Sequence, residues 1–113
     1  MAKASKETRM KKEKARLLEI FHDLDDNKLA VCDTLFARAA FITVSLQDLE
    51  EELSRSGWVE PYQNGENQRG LKKSAAAEVH ISLTKNLNAI MKQLLDIVPA
   101  AARKSKLEEL MGS

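Results

Sequence analysis

The stretch DLDDNK places Asp23, Asp25 and Asn27 at alternate positions, the way a calcium-binding loop begins. Such a loop also needs a glycine at its sixth position for the sharp turn and a bidentate glutamate at its twelfth. Lys28 and Thr34 stand there instead, so the acids read as helix caps. His22 and His80 are the only histidines, and neither has a cysteine or carboxylate array at metal-ligand spacing. Both are expected as packing or surface residues, with no metal and no other cofactor. The single cysteine, Cys32, has apolar neighbours, which predicts a buried, unreactive thiol, no internal disulfide and a reducing compartment. A phosphate-cradling glycine loop, a dinucleotide-binding glycine pattern, a nucleophile elbow and a candidate triad are all missing from the sequence. A noncatalytic protein is expected.

What remains is charge. The total is only +1, but residues 1–22 carry +4, residues 23–60 carry −6 and residues 61–113 carry +3. Lys3, Lys6, Arg9, Lys11, Lys12, Lys14 and Arg16 would concentrate a positive field that attracts phosphate backbones without reading bases. The plainer reading is a solubilising helix in which Glu7 and Glu13 are internal partners. Arg69, Lys72 and Lys73 form a second basic group. Asp48, Glu50, Glu51 and Glu52 read as a solvated helix end or as an interaction patch.

These charges must be positioned by helices. A chain of 113 residues makes one domain, near the lower size for a comfortable core. Residues 1–22 form a basic helix that turns apolar at Leu17, Leu18, Ile20 and Phe21, and Asp25 or Asp26 caps the next helix. That helix spans 28–56 and ends at Gly57, which is suited to a left-handed terminus. Leu35, Ala39, Ile42, Leu46, Leu49 and Leu53 recur on it at steps of four and three; Val79, Leu83, Leu87, Ile90, Leu94 and Ile97 answer on a helix over 75–98. The two are expected to pack as an antiparallel hairpin, followed after Pro99 by a short helix within 99–111. No apolar run approaches the roughly 18 residues that span a bilayer, and the N-terminus lacks the apolar stretch of a signal peptide, so no membrane role is expected.

Residues 57–74 separate the long helices. Trp58, Val59 and Tyr62 suit extended backbone, Asn64-Gly65 is a strong tight-turn signal, and Gln68 to Leu71 returns as a second strand. Pro61 restricts the strand to edge pairing. Two strands alone are marginal in water, so this tip needs its own helices or another copy to rest on. A similar question arises in FARAAFITVSL, residues 36–46, where both faces of the helix want burial. Either the N-terminal helix or a second subunit covers the second face. Phe36, Phe41, Val44, Trp58 and Tyr62 are therefore expected at an oligomer interface.

The order of a basic amphipathic helix, DLDDNK, ARAAFITVSLQDLEEEL, GWVEPYQNG and LTKNLNAIMKQLLDIVP resembles the small subunits of bacteriophage terminases over nearly the whole chain. The resemblance implies a ring-forming homo-oligomer that binds double-stranded DNA for packaging and recruits the terminase large subunit, the ATPase and nuclease. It also implies the cytoplasm of a bacterial host. Lys73-Ser74-Ala75 departs from the family where many relatives open the second long helix with proline, and Ile97-Val98 departs where they often have Leu-Gly. Two other readings stay open: a small phage or plasmid transcription regulator, and a structural coiled-coil adaptor. In the DNA-binding readings Lys6, Arg9, Lys11, Lys12, Lys14 and Arg16 contact phosphates, with Arg69, Lys72 and Lys73 at the tip. The expected fold class is all-α with a small β-hairpin.

Overall fold

In the computed structural model, which describes residues 4–63, 65 and 68–112, four helices and one two-stranded antiparallel sheet follow one another along the chain. Helix α1, Lys6–Ile20, starts at Ser5, whose hydroxyl accepts the Thr8 N–H at 3.2 Å. Helix α2, Asp26–Ser56, starts at Asp25, whose carboxylate accepts the Lys28 N–H at 2.8 Å. Of the acids of DLDDNK, Asp25 is the cap, Asp26 is the first helical residue and Asp23 pairs with Lys106, and α2 begins two residues before its expected start. Lys14 pairs with Asp33 at 2.9 Å and Arg9 with Asp48 at 2.7 Å, so α1 folds back along α2.

Gly57 ends α2 with a φ of 88° and a ψ of 158°. The positive φ is as expected, but the extended ψ is not the left-handed helical turn; it sends the chain straight into a strand, through a region essentially reserved for glycine. Strand β1, Val59–Gln63, pairs antiparallel with β2, Arg69–Lys73, with Val59 opposite Lys73 and Pro61 opposite Leu71. The expected second strand thus starts one residue later and ends two residues later, taking in Lys72 and Lys73. Of the expected Asn64-Gly65 turn, Gly65 has a φ of 87°, and Asn64 lies outside the described residues. Gly70 faces Tyr62, whose ring comes within 3.0 Å of where a Cβ would stand. The ring covers the glycine and leaves no room for a larger residue without moving.

Ser74 closes the sheet onto the helices. Its hydroxyl caps α3, Ala75–Ile97, through the Ala77 N–H, and also donates to the Gly57 carbonyl at 3.4 Å; its N–H donates to the Trp58 carbonyl at 3.0 Å. His80 Nε2 lies 3.1 Å from Glu50, and Ile90 joins Ile42 in the core, so α3 runs antiparallel to α2. Val98 is extended before Pro99, as the proline ring requires, and a 3-10 turn at Ala100–Ala102 leads into α4, Arg103–Leu110.

The core lies between α1, α2 and α3 and gathers Leu17, Phe21, Cys32, Phe36, Ala39, Ile42, Ile90 and Leu94. The Phe21 and Phe36 rings meet at 5.6 Å between centroids, and Cys32 is fully buried as expected, which pushes its thiol pKa up. Val79 departs from the expected seam: it is about half exposed while Ala77 is buried. A straight α-helix drifts by ~20° per heptad against a strict seven-residue repeat, so the inward face shifts toward Ala77 at the tip end. By length and composition α2 is apolar enough to cross a bilayer, which corrects the expectation that no segment reaches that threshold. Here Cys32, Phe36, Ala39, Ile42 and Leu46 of this helix join the core of the chain, while Val31 and Phe41 are exposed.

Candidate interaction surfaces

The basic N-terminal helix is largely committed to its own chain. Arg9 donates to Asp48 at 2.7 Å and to Gln47 at 2.9 Å, with only 16 % of its side chain exposed. Lys14 pairs with Asp33. Arg16 grips both oxygens of Glu13 and reaches the Leu110 carbonyl at 3.4 Å. These three side chains fasten α1 to α2 and α4. Lys6 stands over the Phe41 ring, 4.7 Å from its centroid, a cation–π contact. Lys11 and Lys12 are exposed and have no ion pair among the described residues. Lys3 lies outside those residues.

At the tip, Lys72 pairs across the strands with Glu60 at 3.5 Å, whereas Arg69 and Lys73 are exposed without an ion pair among the described residues. Antiparallel partners point to the same side of a sheet. One face therefore carries the Glu60–Lys72 pair and the Tyr62 ring over Gly70. The other carries Val59, Pro61 and Leu71, with Arg69 and Lys73 at its two ends. Val59 is 52 % exposed and Leu71 69 %, so this second face is uncovered. Trp58, 48 % exposed, stands just before β1 and meets the His80 ring edge-on at 5.2 Å.

The residues expected at an oligomer interface divide in two. Phe41, Trp58 and Tyr62 are well exposed. Phe36 and Val44 are buried inside the single chain, which corrects their assignment to an interface. The reason is that α1 lies along α2 and supplies the cover that a second copy was expected to give. The Val59–Leu71 face was not singled out by sequence reasoning; period-two alternation across a register centred on Pro61 and Leu71 is the signal that would have found it.

Several exposed cations were also missed. Arg38, Lys85, Lys92 and Lys104 have no ion pair among the described residues. Lys85 and Lys92 are seven apart on α3 and so share a face, a spacing visible in the sequence. Lys106 is the opposite case, a charged residue only 6 % exposed. Its ammonium donates to the Ile20 carbonyl at 2.6 Å and pairs with Asp23 at 3.0 Å, which holds the Asp23 carboxyl below its ordinary range. Among the described residues no group of three or more His, Cys, Asp and Glu side chains could hold a metal. The described residues thus offer exposed apolar faces and exposed cations. No protein-family model, curated protein or solved structure matches this chain.

Proposed function

We propose that the protein is a noncatalytic, oligomeric DNA-binding adaptor of the terminase small-subunit kind. It would assemble into a ring on double-stranded DNA in a bacterial host and recruit the large ATPase and nuclease subunit. The observation that carries this reading is the two-stranded sheet with an uncovered Val59, Pro61 and Leu71 face. A sheet of two strands is marginal alone, and an exposed apolar strip at the end of a helical hairpin is the kind of surface that copies of one chain bury against each other. Phe41, Trp58 and Tyr62 extend the same exposed apolar character.

The DNA contacts in this reading are narrower than the sequence implied. Of the cations the sequence implied, Lys11 and Lys12 on α1 and Arg69 and Lys73 on β2 are exposed without an ion pair among the described residues; Arg9, Lys14 and Arg16 position α1 instead. Each neutralised phosphate releases counterions, so affinity falls with salt with a log-log slope of roughly 0.9 per contact. Few contacts per subunit make assembly the source of affinity, because linked weak sites bind one duplex together. Light scattering of the native chain, followed by fluorescence anisotropy with duplex DNA across a salt series, tests both parts. A monomer at micromolar concentration removes the ring, and an absence of binding at low salt removes the nucleic acid. The internal use of Arg9, Lys14 and Arg16 favours one alternative, a structural coiled-coil adaptor without DNA contact, which the same salt series separates from the first reading.

A further inference from the structure

The last two helices enclose a groove of about 500 Å³ on the side of the hairpin away from the sheet. The 3-10 turn after Pro99 carries the chain back past the end of α3, so α4 stands beside the outer face of α3. Met91, Leu95 and Leu107 make the floor. Met91 packs against the core and so fixes the depth of the groove, whereas Leu107 is 43 % exposed in it. A leucine left so open, in a helix whose neighbour offers it no cover, is a surface awaiting contact.

The rim is cationic. Arg103 donates to the carbonyls of Leu95, Asp96 and Val98, which are among the last of α3, so its guanidinium is held in place at the negative end of that helix. Lys92 from α3 and Lys104 from α4 also line the groove, exposed and without an ion pair among the described residues. Asp96 is the single acid of the lining, and the balance stays positive.

An apolar floor between lysines selects among occupants. A phosphate backbone would gain from the lysines but nothing from Met91, Leu95 and Leu107, and would press hydrated oxygens against them. A bilayer surface needs a broad apolar stripe, and here only Met91, Leu95 and Leu107 are apolar among the lining side chains. The acidic stretch of α2 from a second copy carries the right charge, but its Leu53 is buried and Glu52 already pairs with Arg55. What satisfies floor and rim together is a helix with an apolar stripe and carboxylates beside it, bound in the helix-in-groove manner. Methionine in the floor suits this, because its unbranched side chain adapts to the knob it receives.

We infer that the α3–α4 groove docks an acidic amphipathic helix of another protein, with apolar side chains on Met91, Leu95 and Leu107 and carboxylates on Lys92 and Lys104. This goes beyond DNA binding and self-assembly and depends on neither. The probe is a synthetic amphipathic peptide of about four helical turns, with leucines on one side and glutamates flanking them. A control peptide has lysine in place of every glutamate. With the full chain methyl-labelled at Met and Leu, the glutamate peptide should shift the Met91, Leu95 and Leu107 signals saturably, and the control should not. A K92E/K104E double variant changes only exposed side chains; it should bind the glutamate peptide about tenfold more weakly and turn the preference toward the lysine peptide. Equal binding of both peptides, saturable shifts confined to other methyls, an absence of binding, or displacement of the peptide from the groove by short duplex DNA would each overturn the proposal. Loss of this site leaves the oligomer mass and the DNA salt series as they are, so its failure is distinct from failure of the adaptor reading.

Discussion

Around Phe21 and Phe36 the chain closes a core that Leu24, Cys32 and Val98 complete, and even the Lys106 ammonium is drawn inside to satisfy the Ile20 carbonyl. At the far end of α2 the same chain builds a sheet that leaves Val59 and Leu71 in the open. Close packing and an open apolar sheet face thus stand far apart in a body 63 Å long. The difference teaches that an exposed apolar residue here is not a failure to fold. Enough helix lies along α2 to cover it where covering is wanted, and none reaches the strands.

Phe36→Ala should give the largest effect, because the residue is fully buried and its ring partner Phe21 loses its contact. A loss of about 3–5 kcal/mol in urea unfolding is expected. A loss under about 1 kcal/mol would mean that the closed end is looser than its packing implies. Lys106→Met keeps the apolar stem and removes the donor to Ile20, which should cost about 1–3 kcal/mol.

The same lysine sets a pH dependence. The hydrogen bond from Lys106, its largest cause, lowers the Asp23 pKa below the ordinary 3.8. A carboxyl depressed in the folded state contributes stability that is present above its unfolded value and lost as pH falls through the folded one. The native chain should therefore lose this contribution below about pH 4, and Asp23→Asn should be missing that part of the acid limb. An identical acid limb in the two proteins would show that the pair has no role in stability.

Ser45 provides a smaller effect of opposite sign. Its hydroxyl is buried with no hydrogen-bond partner, in the middle of α2. Ser45→Ala removes the unsatisfied group and improves helix propensity, so a gain of about 0.5–1 kcal/mol is expected in the same unfolding assay. Leu71→Glu should change stability least, within about 0.5 kcal/mol, with helical circular dichroism unaltered. Its effect belongs in light scattering, as a reduced mass. Loss of helix in this variant would unite the two ends that the comparison separates.

The cap at Asp25, the seam of α2 and the strand from Val59 to Tyr62 were readable in the sequence, because each depends on residues a few positions apart. The limits of β2 were not, because register is decided by pairing with β1 and not by the residues of β2. Phe36 and Val44 show a second kind of limit. The pattern of FARAAFITVSL states that both faces want cover, but nothing local says whether that cover comes from α1 or from another copy. The basic helix fails for the same reason. Arg9 meets Asp48 across 39 residues, and only the folded chain reveals that its charge is neutralised. Lys106, a lysine in an eight-residue helix, carries no sequence mark of burial at all.

The tie between Gly57, Trp58 and Ser74 makes the sheet an exchangeable head on a fixed mount. Gly57 sets the direction in which the chain leaves α2, and Ser74 restarts α3 while holding the Gly57 and Trp58 carbonyls. The strand residues beyond Trp58 take no part in this tie. Adding one residue to each strand at the turn extends the ladder beyond Gln63 and Arg69 without disturbing the pairs behind it. Adding a residue at the mount itself would turn Val59 and Leu71 to the opposite side. The side chains that the tip presents can in this way change while the helices that give the chain its core stay as they are.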